Sequence, residues 1–311
     1  MKTWVLKAII QKLISFLPFP NKINYIFQKY VTKGVYLTDE YFYDRLRHAK
    51  IHLNSFYNNS EKQQLSVCLE IGTGWYPVVP ISFFLSDVEK TYSVDISMLT
   101  STDRIFTTID KFIEAYKNSQ LHKFLPQLNE LRYQQLIALR DNTSIELPEL
   151  LQSLHIQYLI GDARKLHLPD NSIDLINSNN TFEHINPVVL EGVLLEFKRV
   201  CNKKTGIMSH FIDMSDHFAH FDKSISIYNF LKFSDRQWRL IDNSIQPQNR
   251  WRIYDYKELY QKLNIPIQHI DYRPGNVQQV KSANIHTKFR IHSIEEVAIS
   301  HCHFTTSFES N

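Results

Sequence analysis

Glycine is scarce in this chain, seven among 311 residues, so two glycines one residue apart are not ordinary loop composition. Cysteine is scarcer still. Cys68, Cys201 and Cys302 lie far apart beside apolar runs, which excludes a disulfide framework or a paired zinc spacing and favours a reducing, cytoplasmic setting. Charge of one sign is also lacking: the net charge is +3, too little for an electrostatic case for nucleic acid. No apolar run is long enough to span a bilayer, and neither an internal repeat nor a low-complexity linker interrupts the chain. What remains is a hydrophobic fraction of 43%, ordinary for a globule, and 13% aromatic residues, which suit a substrate pocket or an apolar partner. The length fits one large α/β domain with an appendage.

The N-terminal segment 4–17 is amphipathic. Val5, Leu6, Ile9, Ile10, Leu13, Ile14, Phe16 and Leu17 take about half of a helical wheel, and Lys7, Gln11, Lys12 and Ser15 take the rest. It is too short and too charged to cross a membrane, and it lacks a small-residue cleavage site before Pro18-Phe19-Pro20. Two roles fit: a helix packed on the domain, or an interfacial helix giving peripheral membrane contact with Trp4 near the headgroups. Residues 21–33 and 38–57 both read as helical, the second with Thr38 as N-cap and an acidic first turn.

From residue 61 the pattern becomes one of strand–helix units. Strands are predicted at 67–71, 91–95, 156–160, 172–178, 205–212, 267–272 and 295–305, with helices at 77–85, 187–200 and 255–263. The strands are apolar throughout, as expected of a mostly parallel sheet covered on both faces. Helical residues at about 100–155 exceed an ordinary crossover and read as an insertion. A second insertion covers about 220–254. The predicted organisation is a helical extension, 1–60, followed by a catalytic domain, 61–311.

Ligands of such sheets bind beyond the carboxyl ends of the strands. Those positions hold a coherent set. Val67 to Ile71, with Glu70 inside the run, leads into Gly72-Thr73-Gly74 and a helix start, a turn that brings backbone N–H groups to a ligand. Asp95 ends the second strand, where a carboxylate can accept both hydroxyls of a ribose. Asp162 follows the third, where an acid can accept from an adenine amine while the next backbone N–H meets a ring nitrogen. Asn177 to His184 follow the fourth.

These pieces together resemble a class I S-adenosylmethionine-dependent methyltransferase with a type-11-like domain. The resemblance runs from about 65 to 215. It is carried by Glu70-Ile71-Gly72-Thr73-Gly74, Val94-Asp95, Gly161-Asp162-Ala163 with Leu168 to Asp174, and Phe182-Glu183-His184-Ile185 before the helix ending Lys198-Arg199-Val200. It implies a seven-stranded Rossmann-like sheet and S-adenosylmethionine as cofactor. By that resemblance Glu70, Gly72 and Gly74 pass the methionine part, Asp95 holds the ribose, Asp162 and Ala163 read the adenine, and Asn179 and Asn180 lie near the sulfonium. Trp75-Tyr76-Pro77 stand where the family has small residues, and they either pack on the sheet or narrow the methionine pocket. The same bulk disfavours a nicotinamide oxidoreductase, whose fingerprint needs small residues.

The segment after the fifth strand, His210 to Asp222, is dense in acids and histidines. His217, oriented by Asp216 or Asp213, is the expected base, with His184 as second candidate. Histidines and carboxylates also suit divalent ions, but no standard zinc spacing is present and no metal is assigned. Asp213, Arg250, Trp251 and Arg252 are candidates for substrate binding, the two arginines sharing one face of an extended segment. The expected reaction is methylation of a small-molecule, saccharide or lipid-linked acceptor, on oxygen rather than nitrogen. The rival from another class is a non-catalytic, membrane-associated scaffold that keeps a degenerate cofactor pocket.

Overall fold

A computed structural model describes residues 2–17 and 36–308; the helix expected at 21–33 lies outside them. The elements run α1 (Thr3–Ile14), α2 (Asp39–Asn59), β1 (Val67–Ile71), α3 (Val78–Leu85), β2 (Lys90–Asp95), α4 (Thr102–Lys117), α5 (Glu130–Asp141), α6 (Leu147–Ser153) and β3 (Ile156–Ile160). Then follow β4 (Leu175–Asn179), α7 (Pro187–Val200), β5 (Ile207–Asp213), α8 (Phe218–Phe221), α9 (Asp235–Ile241), α10 (Ile253–Lys262), β6 (Ile267–Arg273), α11 (Val277–Ser282), α12 (Ile294–Ala298) and β7 (His301–Ser307). Short helical turns at Leu121–Phe124, Phe182–His184, Asn229–Lys232 and Thr287–Phe289 join them.

The seven strands form one sheet in the order β3-β2-β1-β4-β5-β7-β6. β1 pairs in parallel with β2 and β4, β2 with β3, and β4 with β5. β7 runs antiparallel between β5 and β6, which makes the sheet mixed at one edge. The chain order reverses at β1, with β2 on one side and β4 on the other, and a ligand crevice opens at such a switch point. The seventh strand is shorter than expected. Ser293 caps Ile294–Ala298 into a helix through the Glu296 N–H, and pairing begins only at His301.

Apolar side chains fill both faces of the sheet. One core joins Phe42, Leu46, Ala49 and Phe56 of α2 with Ile81 and Phe84 of α3 and Phe112 of α4. The other joins Leu194 and Phe197 of α7 with Tyr256 and Tyr260 of α10. α2 starts as its sequence specifies, with the Thr38 hydroxyl accepting from the Tyr41 N–H at 3.2 Å. Burying four such side chains at about 2 kcal/mol each fastens α2 to the sheet.

α1 packs on the segment after β5. Trp4 is buried against Phe218 and Phe233, ring centroids 5.8 and 6.0 Å apart, which corrects its expected place near lipid headgroups. Its backbone N–H donates to Asp222 at 3.0 Å, and Lys12 donates to the Asp242 carbonyl at 2.6 Å. Leu6, Ile9 and Leu13 lie on the outer side, exposed. No described helix is long and apolar enough to cross a membrane.

Candidate active site

The turn after β1 takes the left-handed backbone that glycine tolerates. Gly72 has φ +76°, and a Cβ there would fall 2.4 Å from Thr181 Oγ1, so the turn closes only around a bare backbone. Gly74, at φ +71°, meets almost nothing where its Cβ would stand. Gly72 and Thr73 line a cleft together with Tyr41, Arg45, Glu70, Tyr76, Val79 and Asn179.

Glu70 is buried in that cleft. Oε1 accepts from Asn179 at 2.8 Å and Asn177 at 3.3 Å, while Oε2 has no partner. Burial raises its carboxyl to about 7. A buried carboxylate oxygen awaiting a donor, an arginine beside it and an open glycine backbone fit the ammonium, carboxylate and chain of a methionine group. Tyr76 packs on the core and also lines the same cleft. Trp75 lies under the Arg104 guanidinium.

Asp95 stands at the end of β2, its carboxylate accepting from the Ile96 N–H at 2.8 Å and the Gly74 N–H at 3.4 Å. Asp162, after β3, is exposed and tied to Arg164 at 2.5 Å, and that guanidinium holds it at about 2. Ala163 is buried beside it. Asn180 takes φ +55° at the end of β4, where its N–H donates to Phe211.

Asn179 belongs to a network that the sequence did not announce. Its Oδ1 meets His48 Nδ1 at 3.0 Å and His52 Nε2 at 3.1 Å. His52 Nδ1 meets Ser209 Oγ at 2.7 Å, and Ser209 meets His303 Nε2 at 2.8 Å. One direction satisfies the chain: His303 donates to Ser209, Ser209 to His52, His52 to Asn179, and Asn179 to Glu70. The visible signal was in α2, where Arg45, His48 and His52 recur at helical spacing on the stripe that carries Phe42, Ala49 and Phe56.

A second cluster caps β4 and β5. Asp213 is buried, with His217 Nε2 at 3.4 Å, His220 Nε2 at 3.7 Å and His301 Nε2 at 3.3 Å. The histidines hold its carboxyl far below the usual carboxylate range against the opposing effect of burial. His184 donates from Nδ1 to the Pro247 carbonyl at 2.7 Å, which leaves the lone pair on Nε2, and its ring centroid lies 4.8 Å from that of His217. Burial lowers His184 to about 4, leaving it neutral at pH 7.

Three expected site residues are placed elsewhere. Asp216 accepts from the Phe218 N–H and from Asn229 and makes no bond to His217. Arg250 has φ +60°, which breaks the extended alternation and sends the arginines to different places. Arg250 donates to the Phe230 and Phe233 carbonyls and to Asp235, between Trp238 and Phe289. Arg252 is fully buried and donates to the carbonyls of Met214, Val297 and Ile299. Trp251 packs edge-on against Tyr256. The two arginines are therefore structural, Arg252 committed to backbone oxygens and Arg250 to backbone oxygens and Asp235.

A family model described as a methyltransferase domain matches residues 130–208. No curated protein matches the chain. Among solved structures, the chain is similar to the PH0226 protein from Pyrococcus horikoshii OT3, at 15% identity and TM-score 0.47, covering 90% of this chain and 97% of that one. It is also similar to the YcgJ protein of Bacillus subtilis, at 13% identity and TM-score 0.41, over 85% and 100% of the two chains. A third is geranyl diphosphate C-methyltransferase from Streptomyces coelicolor A3(2), solved with S-adenosyl-L-homocysteine, at 8% identity and TM-score 0.45, over 88% and 83%. The match to a methyltransferase domain is confined to residues 130–208, about a quarter of the chain.

Proposed function

We propose that the protein methylates oxygen on a small-molecule, saccharide or lipid-linked acceptor, and that His184 takes the acceptor's proton. When bound, S-adenosylmethionine supplies an electrophilic methyl group. Glu70 and Arg45 would hold its methionine part, Asp95 its ribose, and Asp162 with Ala163 its adenine, with Asn179 and Asn180 beyond the end of β4. The single observation behind oxygen is His184: its Nδ1–H donates to the Pro247 carbonyl, which fixes the tautomer and leaves the Nε2 lone pair available. An alcohol needs such a base, whereas an uncharged amine does not. His217, lying on Asp213, flanks the position from which an acceptor approaches.

The outer face of α1 supports an acceptor held at a membrane surface. Leu6, Ile9 and Leu13 are exposed in a row on a helix whose opposite side is anchored. The test is transfer of radiolabelled methyl from S-adenosylmethionine into fractionated water-soluble saccharides and lipid-linked saccharides. Label in an alkali-stable ether is expected, and Leu13→Ser should reduce only the lipid-linked fraction. Label on nitrogen or carbon contradicts the assignment to oxygen, and equal loss in both fractions contradicts a membrane role for α1.

A further inference from the structure

We infer that Asp213, His217 and His220, with His301 alongside, form a binding site for one divalent transition-metal ion. The inference goes beyond methyl transfer and uses none of the groups assigned to the cofactor. Donor atoms of Asp213, His217 and His220 all lie within 4.8 Å of one another. Their spacing is informative. A carboxylate hydrogen-bonded to a charged imidazole sits at about 2.7–2.9 Å, yet three imidazole nitrogens surround Asp213 at 3.3–3.7 Å. Two ligand atoms that each lie about 2.0–2.2 Å from a shared zinc-like ion stand roughly 3.4 Å apart in tetrahedral geometry.

The surroundings carry a second, independent sign. Glu183 is 3% exposed, and neither of its carboxylate oxygens has a partner. It forms an overlapping donor group with His184 and His217, so it borders the same imidazole. Among the described residues, neither Glu183 nor Asp213 has an ion pair with lysine or arginine. Two buried acids without a fixed cation, ringed by histidines, leave an electrostatic deficit that a divalent ion fills.

The outer contacts are those of a ligand set held in place. The Ser215 N–H donates to Asp213 Oδ1 at 2.8 Å, and the Ser300 hydroxyl can accept from His301 Nδ1 at 3.0 Å, which leaves the His301 Nε2 lone pair toward Asp213. Imidazole-rich donor sets suit zinc, cobalt, nickel or iron(II) rather than magnesium or calcium.

The test uses the chelator-treated full chain without cofactor or acceptor, titrated with Zn²⁺ by calorimetry and with Co²⁺ by visible absorption. One equivalent should bind, with Co²⁺ giving ligand-field bands. His220→Ala, at an exposed position, should weaken binding about 10–100-fold, and Asp213→Asn should do so at least as strongly, with near-ultraviolet circular dichroism confirming the fold. Absence of stoichiometric binding, or binding unchanged in both variants, overturns the site. Because the readout needs no methyl transfer, its failure is separable from failure of the proposed reaction.

Discussion

Two groups of histidines lie along β5, and they are finished differently. Beneath α2, His48, His52 and His303 close a chain through Asn179 and Ser209 with contacts of 2.7–3.1 Å. Beyond the strand's carboxyl end, His217, His220 and His301 stand 3.3–3.7 Å from Asp213, and buried Glu183 has no partner. The residue types match and the strand is shared, yet the first group is linked member to member by short hydrogen bonds, with His303 Nδ1 left over, whereas in the second His217 Nε2 and both Glu183 carboxylate oxygens lack a hydrogen-bond partner. A satisfied buried network holds a fold in one arrangement, whereas unsatisfied buried groups mark where something else is to bind. The closed group sets the Asn179 carboxamide against Glu70 and so shapes the cofactor cleft.

The largest difference between the groups should appear in stability. His52→Ala leaves Ser209 and Asn179 short of partners at about 1–3 kcal/mol per orphaned group, so a loss of about 3 kcal/mol or more is expected in denaturant unfolding. His220→Ala, on the exposed side of the open group, should change stability by less than about 0.5 kcal/mol. Equal losses in the two variants would erase the distinction.

Acid should act mainly through the closed group. Burial lowers His48 to about 3 and His303 to about 4, and holds His52 well below its ordinary value. Below the unfolded value of 6.5 the unfolded chain binds more protons than the folded one. Stability is therefore fully present above about pH 6.5 and is lost as the pH falls toward 3–4. Each such histidine contributes a slope of about 1.4 kcal/mol per pH unit within that window. Thermal unfolding between pH 7 and 4.5 measures this, and a second comparison with His303→Gln should show a shallower slope. A melting temperature that is flat across the window would contradict neutral burial of these side chains.

The strand ends proposed to hold the cofactor were locatable in the sequence, because each of those groups follows a strand directly. Period and punctuation locate strand ends, and Glu70, the Gly72/Gly74 turn, Asp95 and Asp162 follow from them. The closed network was not readable, since its partners are joined only by the packing of α2 across β4 and β5, 127 residues apart for His52 and Asn179. Arg250 and Arg252 misled for a local reason: one left-handed residue cancels the alternation that an extended segment implies. The same limit applies to the seventh strand, where a Ser293 cap replaces its first residues with helix. Asp213 and His217 were placed in the candidate site from their density in acids and histidines, but which acid faced which histidine depended on the turn into α8.

The most direct measurement is methyl transfer by His184→Ala, made alongside S-adenosylmethionine affinity on the same preparation. A fall of about 10²–10⁴-fold in the rate of transfer, with cofactor affinity within about twofold of the parent, is the expected result. Transfer at the parent rate in the folded variant would contradict the assignment of the acceptor's proton to this histidine, and with it the division between a closed structural group and an open working one.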